Sequence, residues 1–341
     1  MVIVKNKPTF DEYKKIFSRL GAKRNDVMVS SDIGIDVGIG IADNDLVVVT
    51  HSDPILGAVK HAGYLVVHVA CNDVATAGVE PRWLVPTLIF PDDTSEEIFD
   101  MVTQQIDQAS KELNVSIIGG HTGFTHGINR PIVVATAIGI GKRDKVLISA
   151  KAKVGDDVYI TKGAAIEGTS IVAEDFEEIA KKKGVSKEVL EKAKENFNKV
   201  SVVKEALALA PLVNSMHDAT TGGVAEGLME LAYSSKKVIE VWEDYIPLSE
   251  EAKVLAKALE YDPLWMITAG TLIFTAPKEK ENEIKKVLTD IGIPFAKIGR
   301  IVGEGEAKVI IHRSNGRSEI VDKPDPNKEE LTRLWSVYVW K

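Results

Sequence analysis

The stretch from Leu46 to Trp83 leaves this chain the fewest ways to fold. Leu46-Val47-Val48-Val49-Thr50 is a short β-branched run that reads as a buried strand, ending at the polar cluster His51-Ser52-Asp53 before Pro54. From Gly63 onward, Val66, Val69, Ala70, Val74 and Ala77 recur at helical spacing, while His61, His68, Asn72 and Thr76 form a second stripe with Asp73 at its edge. A largely apolar helix thus carries a polar seam. An Asn-Asp pair buried there needs hydrogen-bond donors, a metal or a ligand; alternatively, Asn72 and Asp73 cap a helix or satisfy a neighbouring loop.

Around this stretch strands and helices alternate. Phe10 to Leu20 reads as an amphipathic helix stopped by Gly21. Val27 to Val29 then leads into Ser30 to Gly40, a glycine-punctuated loop holding Asp32 and Asp36, whose spacing fits neither a dinucleotide fingerprint nor a P-loop. Leu84 to Phe90 is a strand. Thr94 and Glu97 are spaced as a capping box for a helix with the apolar face Ile98, Met101, Val102, Ile106, Ala109 and Leu113. Ser116-Ile117-Ile118 breaks at the turn Gly119-Gly120-His121-Thr122-Gly123, a second polar cluster after an apolar run, and a β-branched run follows from Pro131 to Ile140.

Lys-rich sequence around residues 142–155 marks a domain junction, dividing the chain into 1–150, 151–320 and a tail, 321–341. The second half opens with the strand Asp157 to Thr161 and the turn Lys162-Gly163, where a lone lysine is as a rule solvated. Helical sequence runs to about Leu212, and Met216 to Gly223 precedes a helix over Val224 to Tyr233. Gly222 and Gly223 at that helix start let backbone amides approach an anion. Strands at Val238–Trp242, Thr271–Thr275 and Lys308–Ile311 alternate with helices at Glu250–Leu259 and Glu279–Ile291. The fold class is α/β (α+β) in both halves.

With 341 residues, 27% charged and 45% hydrophobic, the chain is long enough for two ordinary globular domains. A formal net charge of −8, with no basic block interleaved with aromatics, argues against nucleic acid and leaves small molecules and proteins as partners. The single cysteine, Cys71, excludes an internal disulfide and reads as core packing. No run reaches the ~18 apolar residues of a membrane span, and Lys5 and Lys7 are followed by no signal-type apolar segment, so a cytoplasmic location is expected. Abundant Lys and Glu, with Gln nearly confined to Gln104, Gln105 and Gln108, fit a thermophile.

Taken in order, the loop with Asp36, the run ending at His51 to Asp53, Asn72-Asp73, Gly119-Gly120-His121-Thr122, Ile160-Thr161-Lys162-Gly163 and His217-Asp218-Ala219-Thr220-Thr221-Gly222-Gly223 resemble the aminoimidazole ribonucleotide synthase (PurM) superfamily. That superfamily includes selenophosphate synthetase, thiamine monophosphate kinase and the hydrogenase maturation protein HypE, and the resemblance to HypE is strongest. It implies a two-domain PurM-like fold: an N-terminal, ATP-binding sheet domain that pairs with a second subunit, and a C-terminal α/β domain. It also implies ATP with Mg²⁺. Nucleotide or phosphate binding would fall on Asp36, Asn72, Asp73, Gly119, Gly120, Thr122, Lys162, Asp218, Thr220, Gly222 and Gly223, and metal binding on Asp36, His51, Asp53, Asp73 and His121.

The chain departs from the HypE pattern at informative places. His51 and His121 stand where carboxylates are usual, Thr221 where Arg is usual and Ala269 where Glu is usual. Imidazoles suit Zn, Mn or Fe better than Mg²⁺. The chain also finishes Trp335-Ser336-Val337-Tyr338-Val339-Trp340-Lys341, without the terminal cysteine that carries the carbamoyl group in HypE, and its aromatic tail is expected to pack on the core. The reading is a homodimer that activates an oxygen of a small-molecule or protein substrate with ATP. Its alternatives are a transition-metal-dependent enzyme using His51 and His121, and a non-catalytic nucleotide-binding or metalloenzyme-assembly protein.

Overall fold

In the computed structural model, which describes residues 7–339, the chain passes repeatedly between two units. One comprises Lys23–Ser30 and Asp36–Val146; the other comprises the described part of Met1–Ala22 with Ser31–Ile35 and Leu147–Lys341.

α1 (Phe10–Phe17) opens the described chain on a capping box between Thr9 and Glu12. The unit centred on residues 36–146 then contains β1 (Val27–Val29), β2 (Gly38–Ile41), β3 (Leu46–Ile55), α2 (Ala62–Thr76), β4 (Pro81–Pro91), α3 (Glu96–Glu112), β5 (Ser116–Ile117), β6 (His121–Thr125) and β7 (Ile132–Lys142). Its sheet order is β1-β2-β3-β7-β4-β5, with β6 also paired to β4. Strand alternation divides the sheet cleanly. Val47, Val49, Leu84, Leu88, Phe90, Val133, Ala135 and Ala137 are buried on the face covered by α2, and the intervening Val48, Trp83, Val85, Val134 and Ile138 are only partly buried on the other. α2 is buried at every residue except Tyr64, as an almost wholly apolar helix must be. Gly63 permits its close approach to α3, since a Cβ there would stand 2.2 Å from the Val102 carbonyl oxygen.

Several sequence expectations change here. β3 does not stop at Thr50: its pairing with β7 continues through His51↔Ala137 and Asp53↔Ala135 to Ile55, because backbone pairing is indifferent to side-chain polarity. His121 and Thr122 begin a strand rather than a turn, in parallel register with Thr87 and Leu88. The cap of α3 is Ser95, not Thr94, whose hydroxyl donates instead to the Pro91 carbonyl.

The second unit holds β8 (Asp157–Thr161), α4 (Ile166–Asp175), α5 (Glu177–Lys182), α6 (Lys187–Lys194), α7 (Val203–Leu209), β9 (Ser215–Ala219), α8 (Gly223–Ser235), β10 (Lys237–Trp242), α9 (Glu250–Leu259), β11 (Thr271–Ala276), α10 (Glu281–Asp290), β12 (Phe295–Glu304), β13 (Lys308–His312), β14 (Ser318–Val321) and α11 (Glu330–Tyr338). The sheet runs β14-β13-β10-β12-β8-β11-β9. α8 lays Val224, Leu228, Leu231 and Ala232 against Ile160, Ile239, Val241, Ile273 and Ile311 to form the core.

Two expected boundaries move. Residues 7–22 and 31–35 group with the second unit rather than the first, and so do the described residues of the expected tail, 321–339. The reasons are local. Lys7 Nζ donates to Glu226 Oε1 (2.9 Å), Glu230 Oε1 (3.1 Å) and the Thr221 carbonyl (2.8 Å), and Phe10 packs edge-on to Tyr233. At the other end Leu331 and Leu334 are buried, Trp335 Nε1 donates to Asp175, and Tyr338 meets Phe176. The tail's aromatics thus pack on the core up to Val339, while Trp340 and Lys341 lie outside the described residues.

Burial works against a charged Lys7, but Glu230 and Glu226 outweigh it and hold its pKa above the ordinary value. Burial likewise opposes charge on Glu230, yet Lys7 and His217 hold that carboxyl below the usual range. A raised lysine contributes below the unfolded Lys pKa and a lowered carboxyl above the unfolded Glu pKa, so the Lys7–Glu230 pair contributes fully between roughly pH 4.5 and 10, while Glu226, whose carboxyl burial holds above the ordinary range, opposes folding as it ionises. Lys7→Met leaves two buried carboxylates without their cation and should cost about 3–5 kcal/mol at pH 7. Denaturant melts should show that loss shrinking as pH falls below the ordinary Glu range, where the carboxylates take up protons; a pH-independent loss would point to packing alone.

Candidate functional site

Strand period and helix position together assemble the polar group in the first unit. His51 and Asp53 are two residues apart on β3, so they share the face of Val47 and Val49, the face that α2 covers. Asp73 lies in the last turn of α2 and meets them: His51 Nε2 stands 3.3 Å from Asp53 Oδ2 and 3.5 Å from Asp73 Oδ2. Ligand atoms from these three residues all fall within 4.8 Å of one another, the geometry of a metal-holding group.

Asp36 supports the group from the loop before β2. Its backbone carbonyl bonds His51 Nδ1; a carbonyl only accepts, so Nδ1 carries a proton and Nε2 is left to face the carboxylates, as an N–H donor to them or as a lone pair toward an ion held between them. Burial opposes charge on the imidazole, but Asp53 and the charge of Asp36 prevail and raise its pKa above the ordinary value. Asn72 and Asp73 are buried on α2, and the Thr76 hydroxyl closes the helix end on the Asp73 carbonyl. Cys71 beside them is fully buried, and burial pushes its thiol up to about 12, which makes it packing rather than a nucleophile.

His121 does not join this group within the chain. It sits on β6, which is separated from β3 by β4 and β7, roughly 14 Å across the sheet. Its partner Thr87 places it on the uncovered face, whereas Phe124, three residues on, stacks with the buried Phe90. Period-two geometry therefore sets His51 and His121 on opposite faces. Thr122 is exposed on the face opposite to His121, and Gly119 and Gly120 link β5 to β6 at the sheet edge.

In the second unit, Asp218 is buried on β9, followed by Thr220 and the turn into α8. Gly222 caps α8 at φ 88° and Gly223 follows at φ 67°; a Cβ on Gly223 would stand 2.5 Å from the Leu264 carbonyl oxygen. This helix start already has a charged neighbour, because the Glu226 carboxylate packs against Gly222 while Lys7 bonds Thr221. Lys162 is neither solvated nor open. Its Nζ lies 2.6 Å from Glu205 Oε1 and donates to the Ser201 carbonyl at 2.6 Å, with a side chain only 9% exposed. Ala269 has its amide donating to Glu167 Oε2 at 3.2 Å, so a carboxylate reaches this stretch from α4.

Lys7, Glu167, Glu205, Glu226 and Glu230 are the residues that sequence reasoning missed. The available signal was that Glu226 and Glu230, four apart, interrupt the inner face of an otherwise apolar helix.

The fold and site define a two-domain, PurM-like protein. Family models for the AIR synthase related protein match residues 36–141 as its N-terminal domain and 153–312 as its C-terminal domain. The chain belongs to the AIR synthase related family. It is 29% identical over 269 residues to a Methanocaldococcus jannaschii protein named for hydrogenase expression/formation, covering 77% of this chain and 76% of that protein. It is 31% identical over 255 residues to the thiamine-monophosphate kinase of Pyrococcus horikoshii, covering 74% of each. HypE in complex with ATP shares the fold at a TM-score of 0.66 and 22% identity, over 91% of this chain and 90% of that one. AaThiL complexed with AMPPCP and TMP does so at 0.69 and 18%, over 86% and 91%. No helix among the described residues is long and apolar enough to cross a membrane.

Gly223→Ala should cost distinctly more stability than Gly184→Ala. Both require positive φ, worth about 1–2 kcal/mol, but Gly184 faces open space whereas Gly223 abuts two carbonyls. Paired urea melts measure the difference.

Proposed function

We propose that this chain binds ATP, or another phosphorylated small molecule, and acts as a homodimer that uses it to activate an oxygen of a small-molecule or protein substrate. The observation that carries the reading is that both family domains are present and each carries a polar group: Asp36, Asn72 and Asp73 in one, Asp218, Thr220, Gly222 and Gly223 in the other. The relatives of this fold seen with ATP and with AMPPCP support it.

Each group has a defined task under this reading. The start of α8 would offer an anion the positive end of the helix dipole, beside the Glu226 carboxylate that packs against Gly222. Carboxylates in the first unit hold a cation that offsets triphosphate charge. Lys162 positions the β8–α4 turn through Glu205 rather than meeting phosphate, and residues 119–122 form an edge that a ligand reaches from solvent. The acceptor is taken to be an oxygen because the relative of this chain from Pyrococcus horikoshii is named a kinase, and phosphoryl transfer to an oxygen is the chemistry that word covers.

Mg²⁺ fits this donor set poorly. It prefers all-oxygen, near-octahedral surroundings, and His51 places a nitrogen among two carboxylates. One observation favours the second reading, a binding or assembly protein without turnover: Lys162, a residue expected to meet phosphate, is committed to Glu205.

Calorimetric titration of the full chain with ATP should show saturable binding that Asp73→Ala weakens by at least about tenfold. No binding with magnesium, manganese or zinc present would overturn the proposal, and binding without phosphate release over long incubation would select the second reading.

The homodimer reading is supported by the uncovered face of the first sheet, where Val48, Trp83, Val85, Val134 and Ile138 are half-buried and apolar. Light scattering should give twice the 37.2 kDa chain mass, and Ile138→Glu should return it to 37.2 kDa. A wild-type monomer would exclude the pairing.

A further inference from the structure

The disagreement between His51 and magnesium has a physical consequence. Nε2 of His51 and the nearer oxygens of Asp53 and Asp73 are spaced at 3.3 and 3.5 Å. Donor atoms around a tetrahedral ion with bonds of about 2.1 Å lie about 3.4 Å apart. Charge-assisted hydrogen bonds are shorter, about 2.7–2.9 Å, so the spacing suits a shared ion better than direct pairing.

The support behind the imidazole points the same way. The Asp36 carbonyl takes the Nδ1 proton, the outer contact that metal-bound histidines characteristically make, and it leaves Nε2 as the ligand atom. Two carboxylates and a neutral imidazole sum to two negative charges, which a divalent ion cancels. Asp73 is nearly buried while His51 and Asp53 are about a quarter exposed, so three protein donors converge with an open side for water or a ligand.

We propose that His51, Asp53 and Asp73 form a binding site selective for a late first-row divalent transition ion, such as Zn²⁺ or Co²⁺, over Mg²⁺. The site lies within one unit and needs no nucleotide, so it stands or falls separately from the ATP reading. Its selectivity comes from the nitrogen ligand. Affinity for imidazole rises along the transition series toward copper and stays high at zinc, whereas Mg²⁺ exchanges its water for nitrogen reluctantly.

The test uses the full chain, stripped with a chelator and titrated without nucleotide with Zn²⁺, Co²⁺ and Mg²⁺ in turn. Calorimetry should give one Zn²⁺ or Co²⁺ per chain, bound at least about tenfold more tightly than Mg²⁺. Bound Co²⁺ should show the visible absorption of a low-coordinate nitrogen and oxygen site. His51→Ala and Asp53→Asn should each weaken Zn²⁺ by about 10–100-fold or more, with circular dichroism confirming the fold. His51→Asp should narrow the preference for Zn²⁺ over Mg²⁺ by at least about tenfold, an effect that a merely structural histidine would not produce. The proposal is overturned if the folded wild type takes up no stoichiometric ion, if Mg²⁺ binds as tightly as Zn²⁺, or if His51→Ala and Asp53→Asn leave Zn²⁺ binding unchanged. In the first case the imidazole is simply paired with its two carboxylates.

Discussion

A helix buried on nearly every side must have its polar groups answered from inside the protein, and α2 imposes that constraint on the first unit. Its apolar residues fill the space over β3, β4 and β7, and Asp73 at its last turn then lies over the one part of β3 that carries His51 and Asp53. Moving β3 by one residue would turn both side chains to the uncovered face and leave Asp73 facing Ser52 with Thr50 or Pro54 instead. The register with β7 and the burial of α2 therefore hold the polar group together.

The second unit solves a related problem differently. α8 carries Glu226 and Glu230 into an apolar interface, and the compensating charge arrives from the start of the chain as Lys7, with His217 on the far side of Glu230. Burial holds the Glu226 carboxyl above the ordinary range even against Lys7, while Glu230, between lysine and histidine, is held below it. Four ionisable groups, Glu226 and His217 buried and Lys7 and Glu230 partly so, thus share one neighbourhood beside the turn that carries Gly222 and Gly223. The same network brings the N-terminal segment to α8, which is why a split at residue 150 does not describe the units.

The AIR synthase related architecture is intact here, but its charges are redistributed. A nitrogen enters the carboxylate group at His51, Lys162 is neutralised by Glu205, and Glu167 supplies a carboxylate beside Ala269. These groups leave the strands and helices in place: His51 is paired within β3, Glu167 and Glu205 lie on α4 and α7, and Lys162 sits in the turn after β8.

Much of this was legible in the chain alone. Alternation in β7, the helical spacing of Val66, Val69 and Val74, and Gly222-Gly223 before an apolar run each encode a local conformation, and local conformation depends on neighbours a few residues away. The motif order also carried the family. The end of β3 was not legible, because polar side chains at His51 to Asp53 signal a loop while the β7 backbone still offers partners. Nor could sequence separate His51 from His121, since which sheet face each occupies follows from pairing with strands far along the chain. Lys7 finds Glu226 across 219 positions, and Lys162 finds Glu205 across a bundle of helices. Sequence by itself determined the elements, the family and the kinds of chemistry available; tertiary structure decided which charged groups meet, because the cost of burying a charge is settled only by the partner that packing brings to it.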